Sequence, residues 1–362
     1  MRYDPDFVCH WPLLSDKDRQ WLHRLARIYP FKRFKGDHRN YEETVVDFVY
    51  TSAKIEGNTY DRIDTDNLLR FGVTAGGKRY SDAVMLVNLR NGFDRVMGLE
   101  PQDDLDFDYV CDLHKILMRD LLPTNEQGIG RSSDVNITGS TDTPLSDAAR
   151  LRTEIRFVLA EANNYADPFE QAIYLHCNLA YLQYFRDGNK RTARLMQTAA
   201  LVRAEVLPLL FKDTLIGKYQ KATLHYYETG EYTSYVEFFK ENYELAIFAL
   251  AGQPAASDYQ GSASEIAEFD RRIQVLPQLA ESSGVGRVFW SLAQEEISAR
   301  GSPRSVNWGD IERRTIVKSI AEHGLPKSEI RQVLLEYSPG TASPQRHEQV
   351  VDDIERLDPV LR

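Results

Sequence analysis

The strongest constraint on this chain is a short corner, Asp187-Gly188-Asn189, set between two apolar stretches. Before it, Phe169, Ala172, Ile173, Leu175, Leu179 and Leu182 recur at helical spacing; after it, Leu195, Ala199, Leu201 and Val202 do the same. The spacing predicts one helix over 168–184 and another over 190–204, joined by residues that tolerate positive φ and bend a chain sharply. Free amides in such a bend, followed by a helix N-terminus, form an anion cradle. Arg191 and Arg194 lie three apart, on one face of the second helix's first turns. Cations there oppose the helix dipole, which a ligand carrying several negative charges would offset. Asp187 is placed to hold a divalent cation between phosphates. The residues therefore point to a phosphate chain with Mg²⁺, most simply a nucleotide. The plainer alternative is a helix corner with surface arginines, since Asp-Gly-Asn corners are common.

Composition narrows the setting. The 362 residues contain no apolar run near the roughly 20 needed to span a bilayer, and residues 1–30 lack a signal-peptide core. Cys9, Cys111 and Cys177 are widely scattered, which favours free thiols over disulfides or a metal site. A cytoplasmic, bacterial setting with no membrane contact is expected. The net charge of −10 argues against broad nucleic-acid binding.

Amphipathic helices are expected around Trp21–Ile28, behind a Ser15 cap, and over 41–56, 81–98, 105–122, 146–164, 214–228 and 233–250. The helix at 41–56 ends in Ser52-Ala-Lys-Ile-Glu56-Gly57, with Gly57 a good stop. Gly72 to Lys78 imitates a phosphate loop but follows a helical segment and is continued by Arg79, so it reads as a helix connection; Gly128-Ile-Gly130 is half a dinucleotide fingerprint with no strand before it. Between Gly128 and Pro144, Arg131, Val135, Ile137 and Gly139 alternate with polar residues, which predicts a short hairpin. Residues 252–264 have linker composition. Beyond them, helical patterns run at about 264–281, 286–299, 308–323, 327–336 and 347–357. Ser305 to Ile311 suits a helix start, and Arg300, Arg304, Arg313, Arg314 and Lys318 make a locally basic region. No wing hairpin is evident, so DNA binding by this part ranks below protein docking or homodimerisation.

Phe185, Asp187, Gly188, Asn189, Lys190, Arg191 and Arg194 match, in register, the Fic (Fido) family motif His-x-Phe-x-Asp/Glu-Gly-Asn-Gly/Lys-Arg-x-x-Arg. The segment ending in Glu56-Gly57 resembles the Ser/Thr-x-x-x-Glu-Gly/Asn motif of members that carry an inhibitory helix ahead of the core, the class II arrangement. Segment 128–144 resembles the flap that Fic proteins lay over the active site. The resemblance covers about 5–250. It implies an all-α Fic-type core with a small β-hairpin flap, followed by a mostly helical C-terminal domain. Its parts would be a helical region with the inhibitory motif over 1–80, the core over 81–251, the linker over 252–264 and the last domain over 265–362.

The implied activity is transfer of AMP from ATP to a Ser, Thr or Tyr hydroxyl of a target protein, with ATP and Mg²⁺ as cofactors. Asp187 would hold the metal, and Gly188, Asn189, Lys190 and Arg191 would cradle phosphates. Arg194 would anchor the γ-phosphate, with Ser52, Glu56 and Gly57 forming its internal competitor. Val135 and Ile137 would dock the target by strand addition. Lys218, Tyr219, Ala222 and Tyr226 resemble the stretch bordering adenine. One departure matters: the family's leading His is Gln183, and the usual Pro after it is Tyr184. His176 matches a His often seen before the motif and so does not replace it. An amide has no usable lone pair near neutral pKa, and general-base assistance is worth about 10²–10⁴ in rate. Two rival readings stay open: a non-catalytic nucleotide sensor, favoured by Gln183, and a Doc-like phosphotransferase, suggested by Lys190 but opposed by Arg194.

Overall fold

The computed structural model describes residues 3–9, 12–137, 139–251, 263–300, 303, 306–342 and 344–361. The chain divides into two compact units, Met1–Ala246 and Ile247–Arg362. The first contains α1 (Asp16–Ile28), α2 (Phe31–Gly36), α3 (His38–Ile55), α4 (Arg62–Phe71), α5 (Tyr80–Met97), α6 (Phe107–Met118), α7 (Ala148–Ala162), α8 (Pro168–Leu182), α9 (Asn189–Arg203), α10 (Ile216–Thr229) and most of α11 (Thr233–Ala251). The second contains α12 (Ala263–Ser282), α13 (Gly284–Arg300), α14 (Trp308–Ala321), α15 (Lys327–Tyr337) and α16 (Pro344–Leu361). The architecture is all-α, as expected.

Local chemistry explains the helix starts. Ser15, Asp37, Asp61, Asp106, Asp147 and Asp167 each accept a hydrogen bond from a first-turn amide, satisfying donors the helix cannot. α8 adds Pro168 in its first turn, where its missing N–H is harmless. Both central helices are buried nearly all round, including every residue from Phe169 to Leu182 on α8. They pack on each other, with α5 and α6 against α9 and α7 and α10 against α8. Gly92 permits the close approach of α5, since a Cβ there would sit 2.6 Å from Leu195 Cδ1. The Asp187-Gly188-Asn189 corner is thus held inside a helical shell.

Several expectations need correction or comment. Segment 128–144 makes no β-hairpin: no strand is present among the described residues. The alternation survives only as a burial pattern, with Val135 half-buried and Ile137 buried. The two arms share no strand ladder: their bonds run mainly to helices and the corner, with the Arg131 Nη2 donating across to the Leu145 carbonyl. Arg131 N–H donates to the Tyr184 carbonyl at 3.0 Å, while Thr141 donates through its N–H and Oγ1 to the Glu228 carboxylate at 2.8 and 2.7 Å. The region expected to be basic also turns inward. Arg313 is buried against Asp353 at 2.9 Å, and Arg314 is buried near Glu296 and Asp310. The Arg300 side chain, Arg304 and Ser305 lie outside the described residues, as do 252–262 of the segment read as linker and the Cys9 side chain. Cys111 and Cys177 are free and buried. Gly72–Lys78 does connect two helices, with Gly72 (φ 69°) and Gly77 (φ 74°) making its turns. No helix among the described residues is long and apolar enough to cross a membrane.

Candidate nucleotide site

α8 ends at Gln183, which adopts φ 49°, a left-handed conformation uncommon for a residue with a side chain. Gly188 (φ 75°) then starts α9 with no side-chain cap. The contrast with α8 is chemical: its first amides are occupied by Asp167, whereas those of α9 have no such carboxylate over them.

The loop between is braced from within by Asn189. Its Oδ1 accepts from Phe185 N–H at 2.8 Å, and its Nδ2 donates to the Phe185 carbonyl at 2.8 Å and Gln183 Oε1 at 3.2 Å. The Asn189 side chain is therefore committed to the turn, leaving only its backbone for a ligand. Gln183 is similarly occupied, its Nε2 donating to the Ala180 carbonyl at 2.6 Å. From outside, Arg131 donates through Nε to the Gln183 carbonyl at 2.6 Å and through Nη1 to the Ser133 carbonyl at 2.9 Å.

His114, on α6, was not singled out by the sequence. Its signal is weak: a polar residue among Leu113, Ile116 and Leu117, easily taken for core. Here the ring is fully buried and stacks on Phe185, with centroids 3.7 Å apart and planes 7° from parallel. Nδ1 accepts from Gly128 N–H at 2.8 Å and Nε2 meets the Asp187 carbonyl at 2.9 Å. Burial pushes its pKa down to about 4.

The charged groups gather at the first turns of α9. Arg194, fully buried, donates through Nη2 to Glu56 Oε1 at 2.8 Å and the Ser52 carbonyl at 3.1 Å. Its Nη1 donates to Tyr219 Oη at 3.3 Å. Glu56 arrives from the end of α3, where Gly57 (φ 81°) stops the helix, and keeps 18% of its side chain exposed. Burial raises the Glu56 pKa, but the guanidiniums of Arg194 and Arg191 outweigh it and hold the carboxyl below its usual value. Arg191 donates to Asp187 Oδ2 at 2.9 Å and comes within 4.0 Å of Glu56. Asp187, 59% exposed, also accepts from Gly188 N–H at 2.6 Å. Although burial opposes it, Arg191 and that amide hold its pKa low.

Arg191 Nε and Nη1 and Arg194 Nε are buried without a hydrogen-bond partner. Buried N–H groups without acceptors are costly, so these orphans suit an anionic ligand. Arg191, Arg194 and the half-buried Lys190 face two carboxylates, Asp187 and Glu56, leaving a positive balance. No group of three or more His, Cys, Asp or Glu side chains gathers among the described residues. A lone exposed carboxylate fits a Mg²⁺ ion that takes most of its oxygens from water and phosphate.

The other expected residues are divided between support of Arg194 and the core. Ser52 is buried beneath Arg194, contributing its carbonyl. Tyr219 is buried, supporting Arg194 and meeting His176 Nε2 at 3.1 Å. His176 is wedged on Tyr235, and burial pushes its pKa well below the usual value. Tyr226 is a core residue that donates to Asn178 Oδ1 at 2.5 Å, and Lys218 pairs with Glu241.

Residues 104–201 match the family model described as Fic/DOC. The chain is 26% identical over 249 residues to protein adenylyltransferase fic-1 of Caenorhabditis elegans, covering 67% of this chain and 49% of that protein. It is 26% identical over 184 residues to protein adenylyltransferase Fic of Drosophila melanogaster, covering 49% of this chain and 36% of the relative. The chain thus spans about half or less of these curated relatives. Among solved structures, a Fic family protein from Desulfovibrio desulfuricans G20 superposes with TM-score 0.57 at 18% identity, covering 72% of this chain and 81% of that one. A Fic-1 fragment from Caenorhabditis elegans does so with TM-score 0.55 at 22% identity, covering 64% and 71%. At these identities the likeness concerns the fold. Fold, motif register and family model point the same way: residues 104–201 are similar to the Fic/DOC family.

Proposed function

We propose that this chain binds ATP at the start of α9 and transfers AMP to a Ser, Thr or Tyr hydroxyl of a protein target, under restraint by Glu56. The observation that carries the reading is the pair of buried guanidiniums, Arg191 and Arg194, with unpartnered N–H groups and a carboxylate brought from 138 positions upstream. In this scheme Arg194 takes the γ-phosphate, and Glu56 occupies that place until displaced. Arg191, Lys190 and the Asn189 amide hold the remaining phosphates, joined by the Gly188 N–H once Asp187, its present acceptor, turns to Mg²⁺. Asp187 holds Mg²⁺, which when bound neutralises phosphate charge and steadies the departing pyrophosphate. The target oxygen forms a bond to the α-phosphorus as the bond to pyrophosphate breaks. With no imidazole at position 183, the hydroxyl proton passes to water, and transfer is slower by about 10²–10⁴ than with a general base. Segment 128–144, holding Val135 and Ile137, is the proposed place for a target chain to lie.

A second reading has its own support. The Gln183 amide bonds Ala180 and Asn189 and is drawn into the turn, so it can orient a hydroxyl at best and cannot take its proton. A nucleotide-binding regulator without transfer is the form that observation favours. Incubating the chain with a cell lysate and ATP labelled on either adenine or the γ-phosphate decides between them. Adenine label on proteins supports AMP transfer, γ-label alone supports phosphate transfer, and nucleotide binding with no protein label supports the regulator.

A further inference from the structure

We propose that His114 is a positioning residue for the metal side of this site, holding the Asp187–Gly188 peptide in the orientation that presents Asp187 to a nucleotide-bound cation. The inference rests on the nucleotide reading above and goes beyond it by adding a residue from α6.

The geometry fixes the tautomer. Gly128 N–H can only donate, so Nδ1, 2.8 Å away, is the bare nitrogen. The proton is therefore on Nε2, which donates to the Asp187 carbonyl at 2.9 Å. Parallel stacking on Phe185 at 3.7 Å prevents the ring from turning. Beneath the next residue there is no slack: a Cβ on Gly188 would lie 2.6 Å from Met118 Sδ and 3.4 Å from His114 Nε2. Asn189 braces the loop at Phe185, whereas His114 bonds to the peptide that carries the exposed carboxylate. The same ring ties that peptide to Gly128, at the start of segment 128–144. A group that orients a metal-holding residue without touching the metal typically changes metal affinity more than fold.

The test uses the full chain carrying Glu56→Gly, with ATP affinity measured by calorimetry with and without Mg²⁺. His114→Phe keeps the ring and its stacking but removes both hydrogen bonds. The expected result is that the Mg²⁺-dependent gain in ATP affinity falls by about tenfold or more while metal-free affinity is retained. His114→Gln, which restores an N–H donor towards the Asp187 carbonyl, is expected to recover most of that gain. A parallel loss of both affinities, or an unchanged Mg²⁺ gain, overturns the assignment and leaves the nucleotide reading standing. No ATP binding by the Glu56→Gly parent overturns both. Should His114→Phe fail to fold, nitrogen NMR of the His114 ring in the parent decides: a protonated Nε2 whose signal moves when Mg²⁺ joins ATP supports the role, and a signal indifferent to Mg²⁺ rejects it.

Discussion

Two buried arginine sites, Arg272 in the second unit and Arg191 with Arg194 in the first, are satisfied differently. In the second unit, Arg272 donates through Nη1 to the carbonyls of Leu335 and Ser338 and to Thr341 Oγ1 at 2.7–3.0 Å, and through Nε to Glu268 at 2.7 Å. Its partners are mostly backbone and hydroxyl groups that close the α15–α16 connection. In the first unit, Arg191 leaves two nitrogens unused, and Arg194 relies on a partly exposed carboxylate at a helix end. A guanidinium saturated by fixed acceptors belongs to the fold. One paired with a displaceable acid and left short of acceptors is available to a ligand.

The largest expected effect sharpens the claim that the first unit's charges serve chemistry. In a Glu56→Gly background, Gln183→His should raise AMP transfer by about 10²–10⁴, read from labelled adenine on protein. His tolerates left-handed backbone comparatively well, so position 183 suits it. An unchanged rate would mean that more than a base is missing.

Next in size is the contrast itself. Arg272→Ala should cost about 3 kcal/mol in urea unfolding, because it strands buried acceptors. Arg191→Ala should cost much less while weakening ATP binding strongly. Equal stability losses would erase the distinction.

The acids should titrate in opposite senses. Glu56 is held below its ordinary value of 4.5, so it stabilises fully above that pH, and the contribution disappears as pH falls through the lowered value. Burial raises Glu312 above 4.5 despite Arg346, so stability attributable to it declines as pH rises through the raised value. Urea midpoints between about pH 3 and 7 for Glu56→Gln and Glu312→Gln should therefore change slope in opposite directions. The smallest effect concerns the closed start of α8: Asp167→Ala should cost about 1 kcal/mol of stability.

Much of the fold was legible because helical period survives in local sequence. The corner at 187–189 was legible for the same reason, together with its turn residues. The 128–144 segment misled because alternation reports a burial pattern and is silent about hydrogen-bond partners, which here are mainly Tyr184 and Glu228 rather than the other arm. Arg313 and Arg314 misled because charge alone does not reveal the acids that meet them inside, Asp353 for Arg313 and Glu296 and Asp310 for Arg314. His114 escaped notice because one polar side chain among leucines looks like ordinary core until the Asp187 carbonyl is placed above it. The inward commitment of the Gln183 and Asn189 amides likewise depends on a turn geometry that residue type does not specify.

The most direct test of the account is calorimetry of ATP with Mg²⁺ on the unaltered chain and on Glu56→Gly. If Glu56 competes for Arg194, apparent affinity is reduced by the fraction of molecules in which the pair is open, so the variant should bind at least about tenfold more tightly. Equal affinities would contradict the account.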